Sequence, residues 1–332
     1  MSKLSYKTVL VTGSAGFIGF HLSKKLLEQG IHVIGVDCLN HYYDVKMKEK
    51  RNAILKKSKE YSFYKVDISD YKKINSVIQR TKPDVIVHFA AQAGVRYSLK
   101  NPWSYADSNY LGTLNIFESA KNNSIKKVIY ASSASVYGAN KKTPFSEEHR
   151  VDHPLSIYGA SKRANELLAH SYFHLYGIES AGIRFFTVYG KYGRPDLALF
   201  KFAKSILNNK EISVYNRGKM TRTFTHVDDA IAGVHAILIK KKLGCEIYNI
   251  GGGETVELIQ FVKMIEKRLD KKARIKYLPI QAGDVPNASP DLTKSNTELG
   301  YMPKVTIEQG INDFIEWFVQ NKDWVTKLKD AE

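Results

Sequence analysis

Residues 8–19 read "TVLVTGSAGFIG", and the interpretation of the whole chain turns on how this stretch folds. A short apolar run ends at Gly13, and Gly16 and Gly19 follow at intervals of three. Ile18, Leu22, Leu26 and Leu27 then share one stripe of a helix that begins at Phe17 and runs to about Gln29, where Gly30 stops it. Strand, glycine turn and helix together present backbone N–H groups to a pyrophosphate, and the glycines let the chain turn tightly and approach it closely. "HVIGVD" (32–37) supplies a second strand ending in Asp37, 18 residues past Gly19. A carboxylate there can hold a ribose diol and repels a 2′-phosphate, which favours NAD over NADP.

Further apolar, valine- and isoleucine-rich runs follow at "SFYKVD" (62–67), "DVIVHFAA" (84–91), "KVIYASS" (127–133) and "SAGIRFF" (180–186). Helical patterns such as 108–122 and 158–176 lie between them. Strands apolar on both faces and alternating with helices predict an α/β protein with a doubly wound (Rossmann) parallel sheet. After Gly190 glycine and proline punctuate the chain, with helices expected over 198–208, 227–241, 255–269 and 306–320. Residues 1–189 are thus expected to form the dinucleotide-binding domain, with the chain returning to it around 227–252. Residues 190–332 are expected to form mainly a smaller C-terminal α/β substrate lobe over the carboxyl ends of the strands.

The composition narrows the function classes. No apolar run approaches the ~20 residues of a membrane span. "MSKLSYKTVLVTG" passes straight into a strand without a signal-peptide core, so a soluble cytoplasmic protein is expected, with no membrane partner. Cys38 and Cys245 are far apart and offer neither a disulfide framework nor metal-ligand spacing, so no metal is expected. The net charge is +17, but the lysines are spread along the chain with no basic helix or aromatic-interleaved stripe. This excludes a recognisable nucleic-acid surface and leaves attraction of an anionic small substrate.

Tyr-x-x-x-Lys can be a proton-transfer couple, and it occurs five times: Tyr42/Lys46, Tyr61/Lys65, Tyr137/Lys141, Tyr158/Lys162 and Tyr215/Lys219. On a strand four residues span about 13 Å, which separates Tyr61 from Lys65. Tyr137/Lys141 and Tyr215/Lys219 run through glycine-containing polar loops, and Tyr42/Lys46 lies beside the expected adenosine end of the cofactor. Tyr158/Lys162 opens a helix, where i and i+4 share a face. That helix follows the fifth strand, whose end carries Ser132 and Ser133. A free tyrosine with a pKa of about 10 is a poor base at neutral pH. Lys162 and a positive nicotinamide ring are expected to lower that value, with Ser133 bonding the same substrate oxygen.

The glycine turn, Asp37, "HFAA" and the Ser133–Tyr158–Lys162 set together resemble the extended short-chain dehydrogenase/reductase superfamily over nearly the whole chain. More narrowly, "NHYYDVKMKEKR", "AAQAGVRYSLKNPWSYADSN", "YASSASVYG", "VDHPLSIYGASKRANELLAHSY", "RFFTVYG", "GRPDLALFKFAK", "GKMTRTFTHVDD" and "QAGDV" resemble the UDP-glucuronate 4-epimerases. The resemblance implies reversible redox inversion at C4 through a 4-keto sugar, with Tyr158 as the proton shuttle and tightly held NAD taking and returning the hydride. It implies a cofactor site at Gly13, Ala15, Gly16, Phe17, Ile18, Asp37, Asp67, Ile68, Ala90, Ala91, Asn109, Tyr158 and Lys162. It also implies a UDP-sugar site at Ser133, Ser135, Thr187, Arg194, Arg222 and Asp284, and a homodimer formed through helices equivalent to 105–122 and 158–176. Arg194 is assigned to the sugar carboxylate or to the diphosphate.

A 4-ketone leaves the C6 carboxylate β to a carbonyl, an arrangement that loses carbon dioxide readily, so such a site has to hold the carboxylate. By resemblance, Ser133, Ser135 and Thr187 do so, with Arg194 nearby. Ala134 departs from the family pattern, which carries a third hydroxyl there. The 4,6-dehydratases resemble Thr-Asp-Glu at the positions of Ser133, Ala134 and Ser135, and the UDP-glucuronate decarboxylases carry a glutamate at Ser135. Neither acid is present. The alternatives are a UDP-glucose/UDP-galactose (or N-acetylated) 4-epimerase, which has asparagine at Thr187 and arginine at Gln281, and a non-catalytic NAD(H)-sensing protein.

Overall fold

The apolar runs become, in the computed structural model, a seven-stranded sheet in which every pairing is parallel. The structure describes residues 4–280 and 287–329. The strands are β1 (Thr8–Thr12), β2 (His32–Asp37), β3 (Tyr61–Lys65), β4 (Val85–His88), β5 (Lys127–Ala131), β6 (Glu179–Phe185), β7 (Thr187–Tyr189), β8 (Glu211–Tyr215), β9 (Thr221–His226), β10 (Cys245–Ile250), β11 (Thr255–Glu257), β12 (Arg274–Leu278) and β13 (Asn287–Ala288). The large sheet runs β3-β2-β1-β4-β5-β6-β10. Its order reverses beside β1, between β1 and β4, and sheets of this kind bind ligands in the crevice at that point.

The near-continuous apolar character of the strands has a simple cause. Val9, Val11, Val33, Val85 and Val87 enter the core on one face of the sheet, while Leu10, Ile34, Ile86 and Val128 enter the core on the other. Helices Phe17–Leu27 and Val227–Ile239 pack on one face, and Tyr71–Thr81 and Gly112–Asn122 on the other. Alternate residues point to opposite faces, so both registers have to be apolar.

The C-terminal part has a core of its own, with Phe200, Phe224, Phe261, Phe314 and Phe318 among its members. Phe224 and Phe261 stack at 4.0 Å between centroids. β9 pairs with β7, β11 and β13, and β8 pairs with β12. β10 leaves this part and joins the large sheet beside β6.

Several boundaries shift from the sequence reading. Residues 255–257, expected as helix, form β11, and the helix begins at Leu258. The helical pattern over 108–122 extends back to Trp103 and contains a π-helical segment, Ala106–Leu111. β3 and β5 stop at Lys65 and Ala131, so Asp67, Ser132 and Ser133 lie beyond the strand ends and are released from sheet pairing. Among the described residues no helix is long and apolar enough to cross a membrane.

Candidate active site

The β1 turn is built by steric exclusion. Gly13 has φ +70°, and a Cβ there would sit 2.7 Å from the Ala90 nitrogen. A Cβ on Gly19 would sit 2.1 Å from the Gly13 carbonyl oxygen, so the helix Phe17–Leu27 can approach the turn only without one. Gly16 is the N-cap of that helix and no side chain caps it, which leaves the positive helix end open to an anion. Asp37, at the end of β2, accepts from Ala15 N at 3.2 Å and from Leu39 N at 2.8 Å. Burial pushes its carboxyl up, against those two hydrogen bonds.

A cleft of about 1430 Å³ opens above these strand ends. Gly13, Gly16, Phe17, Ile18, Asp37, Asp67, Ile68, Ala90 and Ala91 line its first half, and Tyr158, Lys162, Ser133, Ser135, Thr187, Arg194 and Arg222 line the other. A bare helix end, an acidic acceptor, a floor of small residues and a Tyr–Lys pair form one continuous surface that fits a dinucleotide. Two of the expected cofactor residues contribute differently. Ala15 is wholly buried and offers its amide to Asp37. Asn109 is also buried; it holds the backbone of Gln92 through two hydrogen bonds and donates to Ser161 at 2.9 Å. Asp67 turns one carboxylate oxygen to Ser69, accepting at 2.9 and 2.8 Å, and so also closes its own turn. Asp284, like Gln281, lies outside the described residues.

Tyr158 and Lys162 sit in the first two turns of the helix Ile157–Tyr176, which Ser156 caps by accepting from Gly159 N at 3.0 Å. The Tyr158 phenol faces Ser133, whose side chain favours its ionised form. Lys162 reaches back to donate to the Ala131 carbonyl at 2.9 Å. The expected lowering of the phenol is not what the protein alone produces. Burial pushes Tyr158 up, and Ser133 and the charge of Arg194 only partly oppose it. Lys162 is itself brought down to about 8 by burial. The groups of the protein alone therefore leave the phenol raised rather than lowered.

The other four pairs have different surroundings. Tyr61 bonds Ser14 and Asn52, Tyr137 bonds Asn249, Tyr42 bonds Asp196, and the Tyr215 ring lies under the Arg96 guanidinium. In the second half of the cleft, Ser133 caps the short helix Ala134–Tyr137 by accepting from Ser135 N at 3.1 Å. Arg194 forms a two-pronged ion pair with Asp196 at 2.9 and 2.7 Å. Arg222, on β9, donates to the Thr221 carbonyl at 2.8 Å.

Three supporting groups escaped the sequence reading. Arg51, fully buried, donates to the Ala15 carbonyl at 3.0 Å and to the Tyr192 carbonyl, tying the glycine turn to the chain after β7. His88 bonds Thr12 at 2.7 Å and Thr113 at 3.1 Å, and burial beside the Lys162 charge keeps it neutral, at about 3. Glu166 and Arg184 form a buried ion pair at 2.9 Å. Their partners are remote in sequence, so no local pattern announces them. The one available signal was a charged residue on the core side of an apolar stripe.

Comparison with known proteins was made against this geometry. Residues 10–314 match the model of a family described as GDP-mannose 4,6 dehydratase. A probable UDP-glucuronate 4-epimerase of Rhizobium meliloti (strain 1021) is 42% identical, over 94% of this chain and 97% of its own. The chain belongs to the UDP-glucuronate 4-epimerase family. Another relative, an uncharacterised protein of Methanocaldococcus jannaschii, is 56% identical over 98% of this chain and all of its own length. The solved UDP-glucuronic acid 4-epimerase of Bacillus cereus, in complex with UDP-glucuronic acid and NAD, superimposes with a TM-score of 0.90 at 33% identity. That match covers 95% of this chain and 99% of the Bacillus cereus chain. Ser133, Ala134 and Ser135 carry neither of the acids that the sequence reading expects of a 4,6-dehydratase there.

Proposed function

We propose that this protein interconverts UDP-glucuronate and UDP-galacturonate by NAD-dependent inversion at C4. The observation that carries the reading is the Tyr158–Lys162 pair at the start of one helix, in a cleft that also holds Ser133, Ser135, Thr187 and Arg194. Bound NAD supplies a positive ring and the acceptor for the hydrogen and electron pair at C4. Tyr158 removes the C4 hydroxyl proton and returns it after the 4-keto sugar has turned over within the cleft. Ser133 donates to the same oxygen. Lys162, on the same helix face as Tyr158, would help hold the cofactor and favour the phenolate once it is bound. Ser135 and Thr187 hold the C6 carboxylate so that its C5–C6 bond lies out of line with the ketone, and Arg194 neutralises it or the diphosphate. Arg222 completes the nucleotide end.

The absence of a hydroxyl at Ala134 favours one rival, a 4-epimerase of neutral UDP-hexoses. Incubation with UDP-glucuronate and with UDP-glucose, followed by NMR of the anomeric signals, separates the two. The uronate is expected to invert, and inversion of the neutral sugar alone would overturn the reading. Tyr158→Phe is expected to slow inversion by about 10²–10⁴-fold, while NAD still binds. Full activity in that variant would instead support the NAD(H)-sensing alternative.

The active form is a homodimer. The helices 103–122 and Ile157–Tyr176 pack together and expose Trp103, Tyr110, Leu111, Leu167, Phe173, Leu175 and Tyr176 to solvent. A contiguous pair of helices this rich in uncovered apolar side chains is the surface a second copy covers.

A further inference from the structure

Tyr158, Lys162 and Glu166 are spaced four apart on one helix and therefore share a face. Each reaches a different, consecutive residue of the chain leaving β5. Lys162 donates to the Ala131 carbonyl at 2.9 Å, Glu166 Oε1 accepts from the Ser132 hydroxyl at 2.6 Å, and Tyr158 faces Ser133 across the cleft they both line. One stripe of the helix thus fixes the strand exit residue by residue.

Glu166 is held in turn by Arg184 of β6, which donates to Oε1 and to Oε2, both at 2.9 Å. Arg163 adds a third ionic contact to Oε2 at 3.2 Å. Arg184 continues beyond the carboxylate to donate to the Tyr137 hydroxyl at 3.1 Å, and its guanidinium lies 4.8 Å from the centroid of that ring. Tyr137 donates to Asn249 of β10 at 2.7 Å. Ser132 and Tyr137 bracket the segment Ser133–Ala134–Ser135, so a single buried ion pair grips the serine strip at both ends.

Stability does not account for this arrangement. Both side chains are almost completely buried, at 3% and 1% exposure, and desolvating two charges offsets most of their attraction. What such a pair supplies is a fixed register.

We infer that Glu166 and Arg184 are positioning residues that set the geometry of Ser133 and Ser135 against the Tyr158 phenol, and so keep the 4-keto uronate from losing its carboxylate. The inference rests on the epimerase reading above. In the side reaction the C5–C6 bond breaks and carbon dioxide leaves. Its electron pair forms an enolate across C5 and C4, C5 then takes a proton, and a UDP-4-keto-pentose is released while the cofactor retains the two electrons from C4.

The test removes the connections and leaves the ion pair in place, using Ser132→Ala and Tyr137→Phe singly and together. Epimer and carbon dioxide are measured from the same UDP-glucuronate incubation. Their ratio counts events per turnover and does not depend on how much protein is folded. The expected result is a rise of about tenfold in carbon dioxide per epimer formed, with a higher KM for UDP-glucuronate. An unchanged ratio and KM, with or without a lower melting temperature, would overturn the positioning role. Failure of the wild-type protein to invert UDP-glucuronate would overturn the epimerase reading itself, and this inference with it.

Discussion

Lys162 places an ammonium in the interior, where one carbonyl accepts from it and burial holds its pKa at about 8 rather than the ordinary 10.5. Between pH 8 and 10.5 the unfolded chain therefore binds the proton that the folded chain has released, and stability rises with pH across that window. Below pH 8 both states are protonated and the full cost remains, about 3 kcal/mol for a shift of this size. Lys162→Met is accordingly expected to stabilise the cofactor-free protein at pH 7 by about 2 kcal/mol, after allowing for the lost bond to Ala131. The gain should shrink toward pH 10, and the variant should lose most of its epimerase activity. Urea titrations at the two pH values measure the effect, and a destabilised variant at pH 7 would contradict it. The sequence singled out this residue from its spacing to Tyr158, the helix they open and the serines that end the strand before it. It could not show that the protein by itself raises the phenol pKa, because that depends on how deeply both side chains are enclosed.

At the scale of the element, the glycine turn was readable because its constraint is local. Three glycines at fixed spacing between an apolar run and an amphipathic helix permit few backbone paths. Gly19→Ala is expected to cost about 2–3 kcal/mol and to weaken NAD binding strongly, since the new methyl meets the Gly13 carbonyl and has only backbone to displace. Gly30→Ala is the control. It has φ +75° but nothing within 4 Å of its Cβ, so it should lose only about 1–2 kcal/mol of backbone strain and keep the cofactor. Denaturant midpoints and calorimetric titration with NAD distinguish the two. Elements whose ends depend on distant partners were less legible. Residues 255–257 continue a helical pattern, yet pair with β9 as β11 because that strand presents an edge there. Helix Val45–Leu55 is rich in lysine and looks solvated along its length, but its Arg51 is buried against the glycine turn.

For the whole molecule, the exposed apolar side chains on helices 103–122 and Ile157–Tyr176 predict assembly. If the chain assembles through this surface as proposed, Leu111→Glu with Leu167→Glu should leave it monomeric in light scattering with its circular dichroism unchanged. A wild-type protein that is monomeric at micromolar concentration would contradict the prediction. The sequence by itself determined the parallel sheet and the glycine turn, and singled out Asp37 and Tyr158 as candidates. Each of these follows from periodicity and from the order of strand, turn and helix along the chain, and such patterns survive in a linear text. The tertiary structure alone decided how the site is held. The Glu166–Arg184 pair, the Arg51 tether and the His88 bridge join residues 18 to 141 positions apart. Buried charges are tolerated only where partners from several elements converge, and that convergence exists only once the chain has folded.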